Sequence, residues 1–237
     1  MTEYLMMTLE DEDAHASQSP KAMSELIERR ADFADELRRA GRLKDCGRLR
    51  PSKEGKRIRR EGDRLEIRDG PFTDEGRALG SYHWVEAGSV DEATELAEHL
   101  PILPADALDV RPLMTGTVPD DKEARPGKLF ACAVLGSTAT EQAWVEVMDR
   151  IDAETRGRLP ASSFLGGLRL EPPSAGRRIV TRSERRATLD GPFLESKEVI
   201  GGLVLMRMTS LDEAVRWAGG TRFVVHGALE IRELWRT

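Results

Sequence analysis

The sequence predicts an α+β protein made of two tandem ferredoxin-like units that pair within one chain as an intrachain pseudo-dimer. Three observations carry that expectation. The string Asp-Gly-Pro-Phe occurs at Asp69–Phe72 and again at Asp190–Phe193, 121 residues later, and the same offset gives 20 identities over the 65 ungapped pairs from Leu49 to Leu113. Chance would give a handful, so the chain is a tandem duplication. Apolar patterning then reads in each copy as strand, helix, strand, small hairpin, strand, helix, strand, which is the split βαβ plan with an inserted hairpin. Finally, Leu203-Val204-Leu205-Met206 is apolar on both alternating faces. A sheet with helices on one side only should alternate cleanly, so its other face must also be covered. The natural cover is the sheet of the other copy, meeting it face to face or curling with it into a shared barrel.

The units are expected at residues 1–113 and 128–237, with 114–127 as a polar, Pro- and Gly-bearing linker. In the first copy Tyr4 to Leu9 reads as a strand and Asp11 to Ser19 as an acidic, then small-residue loop. Met23, Leu26, Ile27, Ala34 and Leu37 recur at helical spacing, predicting a long helix from about Ser19 or Pro20 to Ala40 that Gly41 is placed to stop. Leu43 to Leu49 is the second strand. Lys56 to Arg60 and Arg64 to Arg68 flank Glu61-Gly62-Asp63 as a hairpin with Gly at its tip. After the DGPF turn, Leu79 to Ala87 is a strong strand. Ser89 caps a short helix with Asp91 and Glu92 in its first turn, and Leu108 to Leu113 closes the unit.

The second copy repeats the order. Leu129 to Leu135 is a strand, and Trp144, Val147, Met148 and Ile151 mark the helix. The hairpin is Arg177 to Leu189, the next strand Ile200 to Met208, the capped helix Ser210 to Ala218, and the last strand Leu229 to Trp235. Its first helical segment is about four residues shorter, because the N-terminal strands align at an offset of 125.

Composition narrows the function classes. No run approaches the ~18 apolar residues of a membrane span, and the N-terminus enters a strand without a signal-peptide pattern, so a cytoplasmic protein without membrane association is expected. Cys46 and Cys132 fall at unmatched positions. Nothing suggests a disulfide framework or a metal cluster, although a disulfide between these two stays open. The first copy carries a net charge of −7, the second +2 and the linker −1. That balance argues against a generic nucleic-acid binder.

The Leu-Arg-Pro and Leu-Glu-Pro strand ends, the DGPF turn and the Ser-x-Asp-Glu-Ala helix together resemble the DGPF branch of the YCII-related family. The second copy has the fuller signature, Asp190-Gly191-Pro192-Phe193-Leu194-Glu195-Ser196-Lys197-Glu198, whereas Thr73 to Arg77 of the first lacks the Lys-Glu pair. The resemblance covers nearly the whole chain, twice. It implies a dimeric α/β-barrel fold, with one chain supplying both units. It further implies a small protein of unassigned function, some relatives being encoded beside extracytoplasmic-function sigma factors, so sigma-factor association is an implied partnership. Some wider relatives carry a His–Asp pair proposed to be catalytic. The long helices at 20–40 and 140–156 contain no histidine to match it.

Candidate site residues follow from chemistry and from differences between the copies. Asp69 and Asp190 either cap backbone N–H groups in a tight reversal or face a cleft as acid, base or ligand acceptor. Glu195 and Lys197 share a face if extended, and their absence from the first copy would leave one asymmetric site. His83 stands where the second copy has Val204, and histidine titrates near neutrality. His15, His99 and His226 have no counterparts and no metal-ligand spacing. Arg57 and Arg178 are matched arginines at the hairpin base and the best candidates for an anionic small molecule. The other hairpin arginines read as edge protection. No Gly-x-Ser-x-Gly elbow or phosphate loop is present.

The expected function is therefore a small-molecule-binding or regulatory module with a cleft between the units, without cofactor or metal, acting as a monomer or homodimer. One alternative is a metal-free acid–base enzyme for a small polar substrate, with Asp190 and Glu195 as catalytic groups and Arg57, Arg178, Asp69, His83 and Lys197 as ligand contacts. The other is a protein-interaction module.

Overall fold

The computed structural model describes residues 1–72, 77–119, 126–136, 163–182, 185–191 and 199–235. The expected helix near 140–156, Glu195 and Lys197 lie outside these. The strands are β1 (Thr2–Glu10), β2 (Leu43–Leu49), β3 (Lys56–Glu61), β4 (Arg64–Asp69), β5 (Ala78–Ala87) and β6 (Ala107–Thr117) in the first half. The second half supplies β7 (Lys128–Gly136), β8 (Phe164–Leu170), β9 (Arg177–Arg182), β10 (Arg185–Asp190), β11 (Val199–Met208) and β12 (Ala228–Trp235). The helices are α1 (Glu12–Ala16), α2 (Pro20–Arg39), α3 (Val90–Glu98), α4 (Leu211–Gly219) and α5 (Phe223–His226).

Eight strands close a barrel in the order β1–β5–β2–β12–β7–β11–β8–β6 and back to β1, with every pairing antiparallel. Four strands come from each half. The halves join along two seams, Leu49 opposite Leu234 in β2–β12 and Leu170 opposite Leu113 in β8–β6. The hairpins cross between halves: β3–β4 extends from β12, and β9–β10 from β6. Of the two arrangements open to the sheets, the shared barrel is the one formed.

Alternation along the strands divides the core into three. Leu5, Met7, Tyr82, Trp84, Leu203 and Leu205 point inward with side chains from both halves. Tyr4, Met6, Phe33, Leu37, Val85 and Ala93 form an outer layer under the helices of the first half, joined by Ile179 from the second-half hairpin. Cys132, Val204, Met206, Val215 and Phe223 form the matching layer of the second half, joined by Ile58 from the first-half hairpin. The two-sided apolarity of Leu203 to Met206 is thus divided between barrel interior and helix face.

Local signals place α2, α3 and α4 as expected. Ser19 accepts a hydrogen bond from Ala22 N–H to start α2, and Gly41 takes φ +69° beyond its end. Ser89 and Ser210 cap α3 and α4 through Glu92 N–H and Glu213 N–H. Three details differ from the sequence reading. The acidic loop holds α1, started by Asp11 accepting from Ala14 N–H. β6 runs on to Thr117, because these residues pair with Gly167 to Arg169 of β8 instead of leaving the sheet. The N-terminal strands correspond at an offset of 126, not 125: Met6 faces His83, and Cys132 faces Val204. A slip of one residue would turn every side chain to the opposite face.

Candidate functional site

The duplicated elements first account for the matched charged residues. Arg178 of the second half is buried against Asp109 of the first, with Nε to Oδ1 2.6 Å and Nη2 to Oδ2 2.8 Å. At the equivalent place Arg57 of the first half reaches Glu230 of the second, 2.9 Å away. Arg111 donates to the carbonyls of Glu171 and Ile200, and Arg232 to those of Arg50 and Leu79. Each of these side chains crosses to the other half, and each contact has its twin. A planar guanidinium suits such bidentate and carbonyl-bridging work.

The DGPF turns have a plain structural setting. A Cβ on Gly70 would lie 1.8 Å from the Ser52 carbonyl oxygen, and one on Gly191 1.8 Å from that of Pro173, so only glycine allows the hairpin to fold onto the preceding 3₁₀ turn. Phe72 is buried, its N–H donating to Ser52 Oγ at 3.2 Å, with the Arg57 guanidinium over its ring. Asp69 and Asp190 point outward on the hairpin ends, 75% and 82% exposed, and pair with Lys56 and Arg177. Among the described residues Asp190 and Arg178 thus have different partners. The neighbouring Arg177 takes the carboxylate instead.

His83 belongs to a different assembly, on the outer face of the first-half sheet. Thr8 of β1 and Ser81 of β5 hydrogen-bond at 2.9 Å. Glu10, at the end of β1, receives Arg30 Nη1 of α2 at 2.5 Å, while Arg30 Nε donates to Pro101 O at 2.8 Å. His15 of α1 sits 3.0 Å from both oxygens of fully buried Asp106, which also accepts from Leu103 N–H and Asp11 N–H. Beside this network a small, partly open concavity is lined by Ile27, Arg30, Gly47, Arg48, Ser81 and His83. Arg30 Nη2 and His83 Nδ1 are buried without hydrogen-bond partners. Such groups are costly to leave unsatisfied.

Burial, with Arg30 close by, pushes the His83 pKa down to about 3, so its ring is neutral. For His15 burial opposes the charge, but the hydrogen bond to Asp106 and the carboxylates of Glu10 and Asp106 outweigh burial and Arg30 and raise its pKa. Burial lowers the Arg48 pKa against the opposing pull of Glu10. Among the described residues the Arg48 guanidinium meets no carboxylate and lies 5.2 Å from the Trp235 ring centroid. Cys46 and Cys132 are both free thiols, and burial, reinforced by Glu230, raises the Cys132 pKa so that it stays protonated. Among the described residues no cluster of three His, Cys, Asp or Glu side chains is placed to hold a metal.

Among the described residues, the second half keeps Arg169 at the place of Arg48 but replaces several other members of this wall. The strand ladders place Val134 where the first half has Thr8, Gly136 for Glu10, Gly202 for Ser81 and Val204 for His83. At the 121-residue offset Gly227 replaces Asp106. His83 was visible from sequence through its contrast with Val204. Arg30, Arg48, Ser81 and the His15–Asp106 pair were not singled out, because their partners lie far along the chain, 91 residues apart for His15 and Asp106. Comparing the copies position by position gives the signal once the strand offset is right.

Comparison with known proteins gives three findings. The model of the YCII-related domain matches residues 2–116 and again 133–237. A solved structure, "Crystal structure of Putative Chlorite dismutase TA0507", is similar over 99% of this chain and 95% of that chain, at 10% identity and a TM-score of 0.42. No curated protein matches the sequence.

Proposed function

The chain belongs to the YCII-related family, carrying its domain once in each half, and from that premise we propose that it is a small-molecule-binding protein with a single site, set in the first half beneath α2. The observation that carries this reading is the buried polar wall of Thr8, Ser81 and His83, which the second half replaces with Val134, Gly202 and Val204. Both sets occupy a helix-covered face of the same barrel, so the fold alone does not require the polar set. Thr8 and Ser81 satisfy each other, but His83 Nδ1 is left without a partner, which costs stability unless something meets it. The few convergent polar groups, with apolar Ile27 beside them, have the chemistry of a small-ligand contact.

We read each half as a ferredoxin-like unit and the chain as an intrachain pseudo-dimer. Supporting this, the sheet order β6-β1-β5-β2 in the first half recurs as β12-β7-β11-β8 in the second. On this reading the Arg57 and Arg178 pairs hold the halves together, and the ligand site lies within one half.

The test is to give the first half the residues of the second. Ligand-observed NMR with a panel of small polar fragments should find binders to the native chain. The Ser81→Gly/His83→Val variant should fold and lose them. Binding that survives the double substitution would place the site elsewhere and overturn the reading.

A further inference from the structure

We propose that the ligand of this pocket is a small monocarboxylate, held between the guanidinium groups of Arg30 and Arg48 with its short apolar stem toward Ile27. The inference rests on the preceding reading that the pocket is the ligand site, and it follows from charge and hydrogen-bond accounting there. Arg30 is fixed in place by Glu10 and by the Pro101 carbonyl, which leaves Nη2 as a buried donor with no hydrogen bond; Asp106 Oδ2 is 3.7 Å away. An oxygen acceptor at the pocket wall would satisfy it. Arg48 supplies a second set of donors, held by stacking on Trp235 and not by a carboxylate.

Among the described residues, the charged groups gathered at this face are Arg30, Arg48, His15, Glu10 and Asp106. Glu10 pairs with Arg30, and Asp106 with His15. The Arg48 guanidinium is left without a carboxylate partner among the described residues, so one negative charge on the ligand matches it. A dianion would bring a second charge into a half-buried site with nothing to match it. His83 stays neutral, and Ser81 is already engaged with Thr8. Together they offer directional hydrogen bonding without adding charge, and Phe33 holds the imidazole edge-on at a centroid distance of 5.6 Å.

The experiment is an NMR titration that follows the ring C–H signals of His83, assigned by their loss in His83→Val. The probes are propionate, its neutral near-isostere propionamide, and inorganic phosphate. Propionate should shift the His83 signals saturably. Propionamide should need at least tenfold higher concentration, and phosphate should bind more weakly than propionate. Arg48→Met, which keeps an unbranched stem against Trp235, should weaken propionate at least tenfold and leave propionamide unchanged. Equal binding of amide and acid, tighter binding of phosphate, or an unaltered Arg48→Met titration would overturn the carboxylate assignment while the pocket stands. If no probe moves His83 and no fragment binds the native chain, both readings fall.

Discussion

At the scale of single residues, two histidines near one pocket respond to pH in opposite directions. His83 has a folded pKa of about 3 against an ordinary 6.5, so protons bind more readily to the unfolded chain. Acidification from pH 6.5 toward 3 therefore removes stability through this residue. His15 has a folded pKa above 6.5. Its contribution is complete below pH 6.5 and is lost as pH rises through the folded value. Urea unfolding at pH 5 and pH 7.5 checks both signs. His83→Val should gain stability relative to the native chain at pH 5 compared with pH 7.5, and His15→Gln should show its larger deficit at pH 5. Identical pH profiles for native chain and variants would contradict the burial and pairing described. His83 was legible in the sequence because its twin is apolar. Thr8 and Glu10 were not, since an N-terminal offset wrong by one residue compares each with the wrong face of the other strand. Gap placement in the helical segment is invisible to composition, whereas the hydrogen-bond ladder sets it directly.

At the scale of elements, the DGPF turn works as a hinge point between hairpin and 3₁₀ turn. Its glycine makes the close approach, and its aspartate sits on the rim. Gly70→Ala and Gly191→Ala should each destabilise the fold by about 1–3 kcal/mol, the usual cost of forcing atoms into a filled space. Asp69→Asn and Asp190→Asn remove only exposed ion pairs and should cost less than about 1 kcal/mol. Thermal or denaturant unfolding of the four variants distinguishes these outcomes, and larger losses from the aspartates would give them a role the geometry does not show. The turn and both flanking strands were legible, because Gly-Pro and the repeated string mark them. Which strand each hairpin joins was not. Periodicity says which face of β3 is apolar, but β12, 170 or so residues further on, becomes its neighbour only when the barrel closes.

At the scale of the whole molecule, the repeated Ala-Leu-Asp-Val-Arg and Ala-Leu-Glu-Ile-Arg strings have a shared purpose. Asp109 and Glu230 anchor the arginines of the opposite half, and Arg111 and Arg232 bridge its carbonyls. Arg178→Met leaves Asp109 buried without its bidentate partner and should cost about 3–5 kcal/mol. Adding Asp109→Leu should restore most of that loss. Because both seams and both ion pairs cross between halves, the native chain should unfold in one transition whether followed by Trp84 or by Trp217 fluorescence. Two separate transitions would show the halves to be independent. The duplication and the pairing of the two sheets were readable in advance. The polar contacts that secure them were not, since a carboxylate 69 residues from its arginine has no sequence signal beyond being matched in both copies.

The same duplication lets one half carry Thr8, Ser81 and His83 where the other has Val134, Gly202 and Val204. A crystal of the native chain soaked in propionate tests that asymmetry most directly. The account predicts one carboxylate beneath α2, against Arg30, Arg48 and His83, and none against Val134 and Val204. Density on the second-half face, or between the halves beside Arg57 or Arg178, would contradict it.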